Sequence, residues 1–155
     1  MEKISMSNED YLEAIIMLGG TVNEPVKSVD ISRKLNVSRT AVNKAIAVLK
    51  KNNLVSQPYY GDITLTEEGY KYGQAIYKRH RCLVAFFTKG LGIEPETAEN
   101  EACLMEHAIS DESFDLWVAY VSKLGFMNED ESKPSIPSTN ANHDHPHSGW
   151  FAFWV

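Results

Sequence analysis

The sequence predicts a mostly α protein: an N-terminal winged helix-turn-helix followed by a second, helical domain. Three observations point to it. Apolar residues recur at helical spacing through most of residues 7–124. Two short helical patterns meet at a tight turn and are followed by a hairpin pattern. The charge also divides along the chain: Lys27 to Lys51 holds seven cations and one anion, whereas Glu67 to Glu131 holds six cations and thirteen anions. A basic segment followed by an acidic one suits an anionic partner for the first part and a cationic one for the second.

Residues 7–19 read as the first helix. Tyr11, Ile15 and Leu18, widened by Leu12 and Ile16, form its apolar stripe, Ser7 is placed to cap it, and Gly19-Gly20 stop it. Residues 28–35 read as a short helix capped by Ser28, with Ile31 and Leu35 inward. After Asn36-Val37, Ser38 is placed to cap a third helix that runs to about Asn52. Val42, Ile46 and Leu49 face its core side. Arg39 and Asn43, and Thr40 and Lys44, lie one turn apart on another face. Strand character follows at Leu54–Ser56 and Asp62–Leu65, with the loop Gln57-Pro58-Tyr59-Tyr60-Gly61 between them. Coincidence of the basic window with the third helix makes that helix the candidate recognition helix. The DNA-contacting set expected is Lys27, Ser38, Arg39, Thr40, Asn43, Lys44, Tyr59 and Tyr60.

Thr66 is placed to cap a long fourth helix whose stripe is Gly69, Gly73, Ile76, His80, Leu83 and Phe87, closed by Gly90 and Gly92. A fifth helix starts near Pro95 and runs to about Ile109. Ser110 is placed to cap a sixth, with the stripe Phe114, Trp117, Val118, Val121 and Leu124. That stripe is more apolar than one helix on a small domain requires. Phe114, Trp117, Val118 and Val121 are therefore expected to serve both the core and a homodimer interface. The resulting division is 1–66, 67–127 and 128–155. The last part runs from a Ser-, Pro- and Asn-rich stretch with His143, His145 and His147 to the apolar Gly149–Val155. Gly149–Val155 is expected to pack back onto the helical domain or a partner subunit. The three histidines read either as an auxiliary metal-capture site or as part of a polar linker.

The chain has 155 residues, 43% hydrophobic and 23% charged, the ordinary composition of a globular protein. No apolar run approaches the ~18 residues that span a bilayer, and Met1–Asp10 has no apolar signal core. The expectation is a cytoplasmic protein without a membrane partner. Two cysteines, Cys82 and Cys103, are too few for a disulfide framework.

Cys103, Glu106 and His107 stand at i, i+3 and i+4 of the fifth helix, with Glu99 one turn before Cys103. Thiolate, carboxylate and imidazole on one helical side make a ligand set for a divalent transition metal. The alternative is a buried cysteine beside a solvated Glu-His pair. His80, among apolar residues of the fourth helix, and Asp10 and Glu13 on the first helix add donors from two more helices. An enzyme reading is disfavoured: a Cys103-His107 pair on one helix has no third group to orient it and no oxyanion loop.

Several motifs carry a family resemblance: Ser7-Asn8-Glu9-Asp10-Tyr11-Leu12-Glu13, Leu35-Asn36-Val37-Ser38, Arg79-His80-Arg81 and Glu101-Ala102-Cys103-Leu104-Met105-Glu106-His107-Ala108-Ile109-Ser110. Over roughly Ser7 to Leu124 the chain resembles the diphtheria-toxin-repressor family of iron- and manganese-dependent transcriptional regulators, in a two-domain form without the family's SH3-like domain. The resemblance implies a helical metal-binding and dimerisation domain after the winged helix. It further implies a homodimer, activated by iron(II) or manganese(II), that binds double-stranded operator DNA and controls metal-uptake genes. Asp10, Cys103, Glu106 and His107 match family ligand positions, His80 matches a ligand of the neighbouring site, and Glu13 one of the manganese branch. Two departures mix the branches: iron-type members carry Met at the position of Asp10, and manganese-type members carry Glu at that of Cys103. Val84 stands where iron-type members have a carboxylate, and Glu99 is the nearby substitute. The metal is expected to tie the first helix to the fifth and so set the angle of the winged helix. The alternative is a winged-helix regulator that binds DNA without metal activation.

Overall fold

The computed structural model describes residues 6–59 and 62–127. Tyr60, the histidines at 143, 145 and 147, and the segment Gly149–Val155 lie outside the described residues. The chain divides into two compact units, with the boundary between Tyr70 and Lys71.

The first unit opens with α1 (Met6–Met17), which buries Leu12, Ala14, Ile15 and Ile16. Gly19 takes φ +84°, and Gly20 N–H bonds back to Ile15 O at 2.9 Å, so the glycine pair ends the helix as expected. A two-residue strand β1 (Val26–Lys27) follows, then α2 (Ser28–Leu35). Ser28 is not the cap anticipated for α2. The chain enters the helix straight from β1, the N-cap position falls to Lys27, and no side chain caps it. Asn36 adopts the left-handed conformation at φ 52°, Val37 N–H bonds to Ser32 O at 3.1 Å, and Ser32 Oγ donates to Val37 O at 2.6 Å. These bonds lock the turn between α2 and α3 (Arg39–Lys51). Ser38 caps α3, its Oγ accepting from Ala41 N–H at 3.1 Å.

Strand β2 (Val55–Tyr59) is longer than the sequence pattern suggested, because it continues through Pro58. It pairs antiparallel with β3 (Asp62–Leu65), with an irregularity between Ser56 and Tyr59 where the proline removes a donor. β1 was not anticipated. It pairs with the other edge of β3, Val26 opposite Ile63, giving the order β1-β3-β2. Two residues carry no readable period; only the partner strand makes them a strand. Val42, Ile46, Leu49, Ile31, Leu54, Ile63 and Leu65 complete the core with α1, each large side chain contributing roughly 1.5–3 kcal/mol on burial.

Helix α4 (Glu67–Ala85) starts in this unit. Thr66 Oγ1 caps it by accepting from Gly69 N–H at 2.9 Å, and also donates to Asn53 O at 2.7 Å. Gly69 is required for contact: a Cβ there would lie 1.7 Å from Leu54 O.

In the second unit α4 continues and widens into a π-helical turn, Phe86–Gly90, closed by Leu91 N–H to Phe86 O at 3.1 Å. α5 (Pro95–Met105) is capped by Glu94, whose carboxylate accepts from Glu96 and Thr97 N–H. It ends four residues before the expected Ile109. α6 (Asp111–Lys123) is capped by Ser110, as the sequence indicated. The core joins Leu83, Phe87, Ala98, Ala102, Phe114 and Val121, with Trp117 set edge-on to Phe86 at 5.1 Å. Leu124, counted with this apolar stripe in the sequence, is exposed.

Candidate metal centre and DNA-binding face

Two helices of the second unit, α4 and α5, and the turn after α5 deliver the polar cluster. His80 sits on the inward stripe of α4, 2% exposed. Glu99 and Cys103 lie one turn apart on α5. Glu106 is the C-cap residue of α5, and His107 lies in the turn beyond it. The early end of α5 therefore puts these two residues at the point where the chain leaves the helix, not on a continuing helical face.

The histidine is gripped at both ring nitrogens. His80 Nε2 lies 2.6 Å from Glu99 Oε2, and Nδ1 lies 3.0 Å from Glu106 Oε2. As hydrogen bonds these contacts take one proton each, carried by the ring nitrogen or by the facing carboxyl group, and a metal ion on either nitrogen would stand in that proton's place. His107 Nε2 faces the other oxygen, Glu106 Oε1, at 3.2 Å. Glu106 is 1% exposed. Burial alone would raise its carboxyl, but hydrogen bonds and charge from His107 and His80 outweigh that and hold it below the ordinary value. Glu106 is thus a ready-made anion inside the unit.

Cys103 Sγ stands 3.8 Å from His80 Nδ1. His80, Cys103 and Glu106 offer one nitrogen, one sulfur and one oxygen, all within 4.8 Å of one another. That donor set fits a divalent transition metal, with the thiolate favouring the softer ions and the carboxylate the harder ones. The alternative of a buried cysteine beside a solvated Glu-His pair has the burial reversed: Cys103 is exposed and Glu106 is buried. The buried thiol is Cys82, which burial pushes up to about 11. Asp10 and Glu13 both lie on α1 in the first unit, Asp10 half-buried and Glu13 buried.

Arg79 is a residue that sequence reasoning quoted but gave no role. Its guanidinium donates to Glu106 O at 3.4 Å, pairs with Asp111, and lies 5.3 Å from the centre of the Phe114 ring. It therefore fixes the turn that presents Glu106 and His107. Its partners are 27 and 32 positions away, so only its place beside His80 hinted at a role.

On the first unit, Arg39, Thr40, Asn43 and Lys44 are all exposed on α3, opposite the buried Val42, Ala45, Ile46 and Leu49. Ser38 spends its hydroxyl on the cap, and Lys27 is exposed on β1. Tyr59 closes β2. Phe114 and Val121 of α6 are buried in the unit's own core, and Trp117 and Val118 pack half-buried against it.

Comparison with known proteins agrees with both halves. Residues 3–62 match the iron dependent repressor N-terminal DNA binding domain, and residues 66–138 match the iron dependent repressor metal binding and dimerisation domain. An HTH-type transcriptional regulator of Methanocaldococcus jannaschii is 36% identical over 77% of this chain and 96% of its own length. The transcriptional regulator MntR of Escherichia coli is 34% identical over 76% of this chain and 74% of its own. Among solved structures, T. acidophilum IdeR aligns with a TM-score of 0.63 at 25% identity, covering 79% of this chain and 56% of that one. A manganese-dependent transcriptional repressor in complex with manganese aligns with a TM-score of 0.64 at 29% identity, over 77% and 53%. The chain spans about half the length of these solved chains. A basic winged helix, a buried carboxylate between two imidazoles, and relatives that share both halves lead to one conclusion: the chain belongs to the iron-dependent repressor family of metal-dependent transcriptional regulators.

Proposed function

We propose that this protein is a repressor activated by divalent iron or manganese, which binds operator DNA as a homodimer. The observation that carries the reading is the gathering of His80, Cys103 and Glu106 donor atoms within 4.8 Å around a carboxylate already ionised by its neighbours. His107 and Glu99 complete the set from the same unit. Asp10 and Glu13 are further oxygen ligands in this proposal. Their support is chemical: they are carboxylates one turn apart, and Glu13 has a burial that costs a carboxylate dearly unless charge faces it. A bound divalent ion supplies positive charge to these carboxylates. The chain's own residues do the rest. Arg79 holds the Glu106 turn, and the Glu106 carboxylate orients both imidazoles.

Arg39, Thr40, Asn43 and Lys44 reach base edges and phosphates from the N-terminal half of α3. Lys27 and the hairpin residues Tyr59 and Tyr60 lie along the backbone. In a homodimer two such helices enter successive major grooves about 34 Å apart, which calls for a two-fold related operator. Control of metal-uptake genes is the regulatory outcome proposed. The test is a gel shift on genomic fragments selected by the protein itself, with apo-protein titrated by manganese(II), and by iron(II) without oxygen. Binding should rise with either ion and disappear with a chelator. Equal binding with chelator and with metal would favour the reading of a winged-helix regulator without metal activation.

A further inference from the structure

Helix α6 carries two apolar faces, and the second unit's core uses only one. Phe114, Trp117, Val118 and Val121 turn inward. On the other side, Leu116, Tyr120 and Leu124 repeat at i, i+4 and i+8 and are 71%, 56% and 42% exposed. Three large apolar side chains aligned over two turns form a patch of a kind that scattered surface leucines do not.

We propose that this outward face of α6 is the docking surface for the chain's own segment Gly149–Val155. Trp150, Phe151, Phe153 and Trp154 put four aromatic rings into that segment of seven residues, and rings of this size gain most when they find an apolar surface to cover. The segment is tethered close by. α6 ends at Lys123, and the 21 residues 128–148 can span at most about 70 Å when fully extended. That exceeds the length of a 13-residue helix, about 20 Å, so the segment can reach this face within one chain. The segment lies beyond the residue at which the family's dimerisation domain ends, 138, so the docking is a feature of this chain and does not depend on the repressor reading.

The test uses the full chain, a chain lacking 149–155, and the L116S/Y120S variant, whose substitutions fall on exposed positions and leave the core intact. An apolar dye reads the surface. If the segment covers the patch, its removal uncovers leucines and dye fluorescence rises severalfold; the same deletion in the L116S/Y120S background gives no rise. If the aromatics stand free, deletion removes dye sites and fluorescence falls, which overturns the proposal. Chymotrypsin cleavage after Trp150 to Trp154 gives the second reading. It should be slow in the full chain at any protein concentration and at least tenfold faster in L116S/Y120S. Equal rates would overturn the proposal. So would protection lost on dilution, or a dimer dissociated by L116S/Y120S but not by the deletion, since both would show that the face takes a second copy.

Discussion

Helices α3 and α5 are of similar length, 13 and 11 residues, and they place their polar side chains in opposite ways. α3 keeps an apolar face on the core and turns Arg39, Thr40, Asn43 and Lys44 to solvent. α5 packs only Ala98 and Ala102 fully into its core, and the polar residues along it and at its end close on the buried His80 of α4. Charge left in solvent attracts a polyanion and gives up its water only when that partner arrives. Charge gathered inside is costly by itself and holds together only through partners of opposite sign. In the proposed function the first helix meets an external anion and the second holds a cation.

The largest effect should come from breaking the inward set. Glu106→Ala removes the carboxylate that joins His80 to His107 and should abolish the rise in DNA affinity on adding manganese(II) or iron(II), read by gel shift. A wild-type metal response would show that the cluster does not sense metal. The same residue has a pH signature. Its folded pKa lies below the ordinary 4.5, so its contribution to stability is present above about pH 4.5 and lost as the pH falls through the folded value. Glu106→Gln should flatten the acid limb of the unfolding midpoint against pH.

Gly69→Ala tests the first unit alone. The added methyl would meet Leu54 O, and relief needs backbone movement costing roughly 1–3 kcal/mol, more than the ~1 kcal/mol that alanine gains in helix propensity. Thermal unfolding should show a lower midpoint; an unchanged or higher one would mean that α4 and the Leu54 strand entry slide apart freely. Lys44→Ala and Arg39→Ala should weaken DNA binding by ~1–3 kcal/mol for a base contact, or reduce the salt slope by about one for a phosphate contact. No change in either quantity would place the recognition surface elsewhere. The smallest expected effect is at the cap: Ser38→Ala loses the bond to Ala41 N–H and should cost ~1 kcal/mol in urea unfolding, with no change in metal affinity.

The local features of both regions were legible because their causes are local. The caps Ser38, Thr66 and Ser110, the glycine stop after α1 and the inward stripe of α4 depend on residues within one or two turns. The candidate ligand residues stood out by type and spacing. What could not be read is what depends on distant partners. β1 exists only because Ile63 and Asp62 lie beside it. The early end of α5 accompanies the bond from Arg79 to Glu106 O, made by a residue far back on α4. The alternative of a buried Cys103 beside a solvated Glu106-His107 pair has the burial reversed, because helical spacing gives a direction but not what lies in it.

The sequence by itself determined where most helices lie, the caps Ser38, Thr66 and Ser110, the basic face of α3 and the residue types fit to hold a metal, since periodicity, capping and charge act over a few residues. Tertiary structure decided that His80 has a carboxylate at each ring nitrogen, that Arg79 secures the turn carrying Glu106 and His107, and that α6 keeps a second apolar face outside its core. The physical reason is that the ionisation of a buried group and the covering of an apolar face depend on whatever surrounds them in space, and for these residues the surroundings come from other helices.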